Sequence, residues 1–453
     1  MPLEYPSPLA ARSPALPDLE ALVAEDRVHR LIYTDPAIFE IEMQRIFGAN
    51  WVYVGHESQI PAPHDFVTAK LGLRPVILSR GADGAIHLLF NRCTHRGSTV
   101  CRKAKGSAKL FQCAYHGWTY RSDGTLNSVP WPEGYAEGVN DSRFNLAQAP
   151  RVESYRGFIF ATLNPEAAPV TDWLGHIREP LDDWLDRHPG GKIELCEANR
   201  LKFKGNWKLA YDNSADGYHV VFSHRSLLMT ENRFNTDNKG MTYYKNRPDD
   251  GPIHVRYTGN GHHYKDKRPA MDKRPGALWE SEGAHPGMEP HEAEIRAKLG
   301  DKADAALDLV SAPPMNINVF PNLLILGNHI QVLQPVSVNE TDSTWYGTRI
   351  VDTENELGGT VDALNLLRMR TQESFPNFGE VDDLTNFEQI QRGLEAFEDE
   401  WVYMHRGLGI PGRVRELEDG TITGPATDEV FMRRYIREWQ RLMTAEPVIA
   451  LKR

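Results

Sequence analysis

The feature that most limits what this chain can be is a spacing of cysteines and histidines. Residues 91–120 read NRCTHRGSTVCRKAKGSAKLFQCAYHGWTY. Here Cys93-x-His95 is followed, after seventeen residues, by Cys113-x-x-His116. Each pair is a short loop that offers one thiolate and one imidazole. Gly97 and Gly117 follow the two loops and permit tight backbone geometry.

Two such loops closing on one small centre supply the donor set of a Rieske [2Fe–2S] cluster. That cluster takes two Cys on one iron and two His on the other. Zinc also accepts two Cys and two His, but zinc fingers usually pair Cys with Cys and His with His. The surrounding residues suit a small antiparallel β domain. Ile86–Phe90, Phe111–Cys113 and Trp118–Tyr120 read as short strands, and Asp83-Gly84 and Asp123-Gly124 as turns. Trp118 and Tyr120 are placed to shield the centre from water. Cys101 fits no ligand slot and is expected in the core, while Cys196 is isolated. Four cysteines in 453 residues do not make a disulfide framework.

A second constellation lies in GNWKLAYDNSADGYHVVFSH, residues 205–224. Non-haem iron(II) oxygenases bind the metal with two His and one carboxylate on one face, leaving the other positions open. His219 and His224 stand five residues apart, a spacing that a regular helix splays by about 140°. The helix is therefore expected to bend or unwind between Gly217 and His224. Asp216 lies three residues before His219 and can steady a ligand imidazole from behind. The third ligand has to come from elsewhere, and EVDDLTNFEQIQRGLEAF offers Asp382 and Asp383 at the start of a predicted helix. Adjacent acids there are also what the helix dipole favours.

Taken together, the sequence resembles the α subunits of Rieske non-haem iron aromatic-ring-hydroxylating dioxygenases, from about Tyr33 to Met443. The cluster motif falls on Cys93, His95, Cys113 and His116. The iron motif falls on Asn213, Asp216, Gly217, Tyr218, His219 and His224. The family's third ligand is an Asp ten residues before the Gly of a Gln-Arg/Lys-Gly signature. With Gln391-Arg392-Gly393 in that place, the resemblance points to Asp383. It also implies electrons from an NAD(P)H-linked reductase, with or without a ferredoxin. They would pass through the cluster to a mononuclear Fe(II), and both atoms of O2 would enter an aromatic substrate. Partners implied are a small β subunit and an α3 or α3β3 assembly. Asp216 would bridge the centres of neighbouring copies between His116 and His219. The local text is closest to benzoate- and salicylate-type members, so an aromatic carboxylate is the expected substrate. Asn213, Val220 and Phe222 are candidate pocket residues, with Arg225 or Arg233 as a carboxylate partner. A monooxygenase or demethylase with the same two metal sites is the alternative, and a non-catalytic Rieske electron carrier a more distant one.

The expected fold class is α+β: a small antiparallel β Rieske domain plus a larger catalytic domain with an antiparallel sheet flanked by helices. The boundaries read as an N-terminal helical segment at 1–47, packing with the catalytic domain, the Rieske domain at 48–165 and the catalytic domain at 166–453. Helices are expected at Pro36–Phe47 behind an Asp35 N-cap, at Thr171–His188, and at Asp428–Met443 with Phe431, Tyr435, Trp439 and Leu442 on one face. Strands are expected at Arg200–Phe203 and from Met315 to Val336. Tyr243–Met271, rich in Gly, Lys, Arg, His and Asp, reads as a long loop or lid. The formal net charge of −11 gives no basic footprint for nucleic acid. No stretch approaches the roughly 20 apolar residues of a membrane span. No signal peptide is read in the Pro-rich start, so a cytoplasmic location is expected.

Overall fold

The computed structural model describes residues 17–139, 141–187, 190–225, 253–267, 288–311, 315–351, 380–396 and 398–452. Helix α1 spans Pro36–Arg45, and the Asp35 carboxylate caps it by accepting from the N–H groups of Ala37 (2.7 Å) and Ile38 (3.3 Å). It buries Ile38, Phe39 and Met43 in one cluster with Trp207, Tyr435 and Trp439, which joins the N-terminal segment to later parts of the chain.

The cysteine-rich region is built from short antiparallel strands. Ile86–Phe90, Arg74–Arg80, Asp65–Leu71 and Lys105–Ser107 form one sheet in that order. Leu110–Gln112, Thr119–Arg121 and Leu126–Ser128 form another. Gly84 (φ +85°) and Gly124 (φ +86°) turn the chain where Asp-Gly pairs were expected to do so. Cys101 is buried in this domain's own core beside Cys93 and Cys113.

Among the described residues the larger sheet has nine antiparallel strands. In chain order these are β1 (Ile193–Phe203), β2 (His254–Gly259), β3 (His262–Asp266), β4 (Met315–Val319), β5 (Leu323–Leu326), β6 (His329–Ser337), β7 (Glu340–Ile350), β8 (Arg415–Glu416) and β9 (Ile422–Pro425). Their order across the sheet is β1-β7-β6-β5-β4-β3-β2-β9-β8. One apolar cluster on this sheet, with Ile317, Val319, Leu323, Ile325 and Ile330, packs against Trp173, Leu181 and Trp184. Helices α2 (Trp207–Ser214), α3 (Val220–Ser223), α4 (Glu380–Leu394) and α5 (Val430–Thr444) complete the part that matters for the site. α5 buries Phe431, Tyr435 and Trp439 as its stripe demands, with Leu442 only half-buried.

Two expectations need correcting. The helix expected over Thr171–His188 is broken into Val170–Leu174, a 3₁₀ turn at Gly175–Ile177, and Arg178–Asp186. Gly175 adopts φ +53° and ends the first piece. Pro180, which lacks an N–H, fits the first turn of the last piece. The stretch expected to be a loop contains, in its described residues, the hairpin β2–β3 inside the large sheet. Asn260 (φ +50°) and Gly261 (φ +81°) make its turn, the left-handed pair that a tight hairpin requires.

Candidate metal centres

The two loops of the β domain close in the same way. The Gly97 N–H donates to the Cys93 carbonyl (2.9 Å), and the Gly117 N–H to that of Cys113 (3.0 Å). The Cys93 N–H donates to Ser98 O and the Cys113 N–H to Trp118 O, both at 2.8 Å. Left-handed φ values of +77° at Gly97 and +73° at Gly117 make both turns possible. The result is two matching loops that face each other, with both cysteines buried and both histidines half-exposed.

The donors fit a cluster. The rings of His95 and His116 lie 4.7 Å apart, and His95 stacks on Trp118 at 5.0 Å. Nδ1 of His95 is buried without a hydrogen-bond partner, which leaves a lone pair for a metal. Burial would raise the Cys113 thiol, but backbone N–H groups of Tyr115 and His116 and the side chains of Cys93 and Ser98 bring it below its ordinary value. Tyr120 Oη lies 3.2 Å from Cys93 Sγ. Arg96 donates to Nε2 of His116 (2.6 Å), which leaves that ring's proton on Nδ1. Iron held on Nδ1 would place the ring proton on Nε2, where an acceptor rather than Arg96 would be its partner.

The second centre forms where a helix fails. α2 stops at Ser214, and Ala215–Tyr218 run without helical structure, so the unwinding expected near Gly217 is present. The Gly217 N–H donates to Ala426 O (2.8 Å), and a Cβ there would sit 3.0 Å from Ala426. The chain then makes one turn, α3, with His219 at its start and His224 leaving it at ψ 25°. Their rings come within 5.3 Å.

Asp383, in the first turn of α4, completes the group. Its Oδ1 is 3.3 Å from His224 Nε2 and 3.7 Å from His219 Nε2. The three donor atoms all lie within 4.8 Å of one another. Bonds of about 2 Å at right angles would set three donors about 3 Å apart, so the group needs only a small contraction around an ion. Asp383 Oδ1 is buried with no hydrogen-bond partner, as an oxygen reserved for a cation should be.

Each imidazole has a carboxylate behind it. Asp216 Oδ2 is 3.0 Å from His219 Nδ1, and its oxygens also accept the N–H groups of Tyr218 (2.6 Å) and His219 (3.3 Å). Burial would raise Asp216, but His219 above all overcomes this and holds it below its ordinary value. Asp382 Oδ2 stands 3.5 Å from His224 Nδ1, a supporting place that the sequence did not reveal. Burial would lower His224, yet Asp383 and then Asp382 carry it above its ordinary value.

Beneath lies the inner face of the large sheet, and it is polar where the hairpin joins it. His263 pairs across the strands with Asn318, and Lys265 with Asn316. Asn318 contacts His263 Nε2 (2.7 Å) and accepts from Ser214 Oγ (2.8 Å), while Asn316 donates to Ser214 O (2.7 Å). These bonds tie the sheet to α2. Sequence reasoning, which expected the pocket walls to include the Tyr243–Met271 stretch and the Asn316–His329 strands, did not single out His263, Lys265 or Asn318, though the Asn-Gly turn between two alternating runs was the signal. Among the other expected residues, Asn213 and Val220 are half-buried near the break, and Phe222 is 71% exposed with its edge toward Tyr218. Arg225 is exposed, and Arg233 lies outside the described residues.

A β domain with a Cys₂His₂ donor set, together with a second domain whose helices bring two His and one Asp together, defines a two-centre non-haem iron oxygenase. Comparison with known proteins agrees. Residues 50–150 match the Rieske [2Fe-2S] domain, and residues 181–445 match the catalytic domain of the ring hydroxylating alpha subunit. The chain is 32% identical to the 2-halobenzoate 1,2-dioxygenase large subunit of Burkholderia cepacia, over 84% of this chain and 80% of that one. It is 32% identical to the anthranilate 1,2-dioxygenase large subunit of Acinetobacter baylyi, over 92% and 89%. A solved naphthalene 1,2-dioxygenase with indole bound superposes with a TM-score of 0.73 at 27% identity, covering 94% of each chain. The chain therefore belongs to the Rieske aromatic-ring-hydroxylating dioxygenases, as a large α subunit. Members of that family carry a [2Fe–2S] cluster and a mononuclear iron. No described helix is long and apolar enough to cross a membrane.

Proposed function

We propose that this chain is the catalytic subunit of a dioxygenase that converts an aromatic carboxylate to a cis-dihydrodiol. Cys93, His95, Cys113 and His116 hold the cluster, and His219, His224 and Asp383 hold Fe(II). The observation that carries this reading is the convergence of two Nε2 atoms on the unpartnered Oδ1 of Asp383. The Rieske domain is taken as 48–165 and the catalytic domain as 166–453, with 1–47 packed on the latter.

When bound, the two metal groups would relay the electrons and supply the activation of O2. The chain's own residues do the rest. Asp216 accepts a hydrogen bond from Nδ1–H of His219, which keeps the proton on Nδ1 and leaves the Nε2 lone pair free for the metal. Asp382 does the same for His224 at longer range. Asn213, Val220 and Phe222 flank the substrate beside the break in the helix. In an α3 or α3β3 assembly, Asp216 of one copy reaches the His116 of the next, where its carboxylate supplies the acceptor that replaces Arg96. A small β subunit completes the larger assembly. Electrons come from an NAD(P)H-linked reductase, with or without a ferredoxin, and the enzyme works in the cytoplasm.

The test is turnover with ¹⁸O₂, a reductase, NADH and a panel of aromatic acids. The reading expects a dihydrodiol carrying two labelled oxygens. A product with one labelled oxygen, or a demethylated one, would place the chain with the monooxygenases.

A further inference from the structure

Lys265 is a lysine that neither centre uses. It lies on β3, on the inner face of the sheet, and is 2% exposed. Burying an ammonium is costly unless its donors are satisfied. Lys265 has three N–H donors. Among the described residues its one hydrogen bond runs from Nζ to the carbonyl oxygen of Asp216 (3.2 Å). No described carboxylate makes an ion pair with it, although Asp216 and Asp383 both act on it through space. Its neighbours are different. His263, Asn318 and Ser214 satisfy one another, so the charge and the spare donors in this patch belong to Lys265.

We propose that Lys265 is the specificity residue beside the iron donors, receiving the carboxylate of an aromatic acid while the Asp216 carbonyl holds the ammonium in place. This rests on the aromatic-acid reading above and assigns its anion site. The placement is chemically apt. An ammonium tethered by one bond to the unwound segment that leads into His219 keeps a ligand's carboxylate at a set distance from the iron donors. The acid's ring is left to lie against Asp383, His219 and His224. The ion pair forms in a dry site, where it discriminates strongly against neutral ligands. Burial and then Lys267 depress the empty Lys265 to about 7, and an arriving carboxylate restores its full charge.

The test is equilibrium binding to the iron-loaded protein without reductant. The probes are benzoate against benzamide, and 2-naphthoate against 2-naphthamide. Wild type should favour the acids. K265M should lose that preference by roughly ten- to hundredfold, and K265R should keep most of it. The Rieske spectrum and iron content of K265M should match wild type, which shows that the site still folds. If wild type prefers the acids and K265M keeps the preference unchanged, the Lys265 assignment is overturned while the aromatic-acid reading stands. If wild type prefers the amides, or binds neither kind of probe, the aromatic-acid reading falls and this proposal with it.

Discussion

Asp216 and His219 form a local clamp: the carboxylate meets Nδ1 of the ring at 3.0 Å and also accepts the N–H of His219 itself. One side chain thus sets both the backbone and the tautomer of the residue we propose as an iron ligand. D216N keeps the shape, but its amide turns an N–H toward Nδ1 or forces the ring to flip its tautomer. The Rieske signal should be unchanged in D216N. Mononuclear iron affinity should fall roughly tenfold to a hundredfold. Turnover should stay slow even when Fe(II) is added to saturation, because electron transfer through Asp216 is impaired. Iron titration followed by steady-state assay separates the two effects, and wild-type turnover in D216N would refute the bridging role.

The ligand group predicts a clean split in metal content. H224A and D383A should each lose the mononuclear iron and keep the cluster. Iron should drop from about three to about two per chain while sulfide stays at about two. C113S should lose sulfide and the Rieske spectrum. Elemental analysis of the purified variants decides this.

The pH dependence of the metal-free site follows from His224. Its folded pKa is raised by Asp383 and Asp382, against burial. Its protonated form therefore stabilises the metal-free fold fully below the unfolded value of about 6.5, and that contribution fades as pH rises through the raised one. The melting-temperature difference between metal-free wild type and H224Q should be larger at about pH 5.5 than at about pH 8.5. Fe(II) binding should run the opposite way, weakening as pH falls, because the proton must leave before the metal arrives.

A structural prediction concerns Glu42. It is fully buried and accepts from the indole N–H groups of Trp207 (3.0 Å) and Trp439 (2.7 Å) as well as from Lys208 Nζ. Through it α1, α2 and α5 share one polar knot under the iron-site helix. E42A strands a buried ammonium and two indole N–H groups, and should cost about 3–5 kcal/mol. Chemical denaturation measures it. A loss below about 1 kcal/mol would show that Lys208 finds another partner.

Legibility from sequence followed the range of the interactions. The cluster loops were readable because ligands, glycines and turns lie within thirty residues, and each loop closes on itself through Gly97 or Gly117. Helix α1 was readable because Asp35 caps it locally. Asp383 needed the resemblance, since its meeting with His219 and His224 is set by tertiary packing alone. The hairpin β2–β3 was hidden by its composition. His262, His263 and Lys265 look like surface residues, yet all three are buried, and only the Asn260-Gly261 turn betrays the strands. Trp173 and Trp184 kept the right burial while Gly175 broke the single helix expected between them.

The central claim is that one chain holds a Rieske cluster and a separate mononuclear iron. Metal and acid-labile sulfide analysis, with an EPR spectrum of the dithionite-reduced protein, tests it most directly. The account predicts about three irons and two sulfides per chain and a Rieske-type signal. Zinc in place of iron, with no sulfide and no such signal, would contradict it.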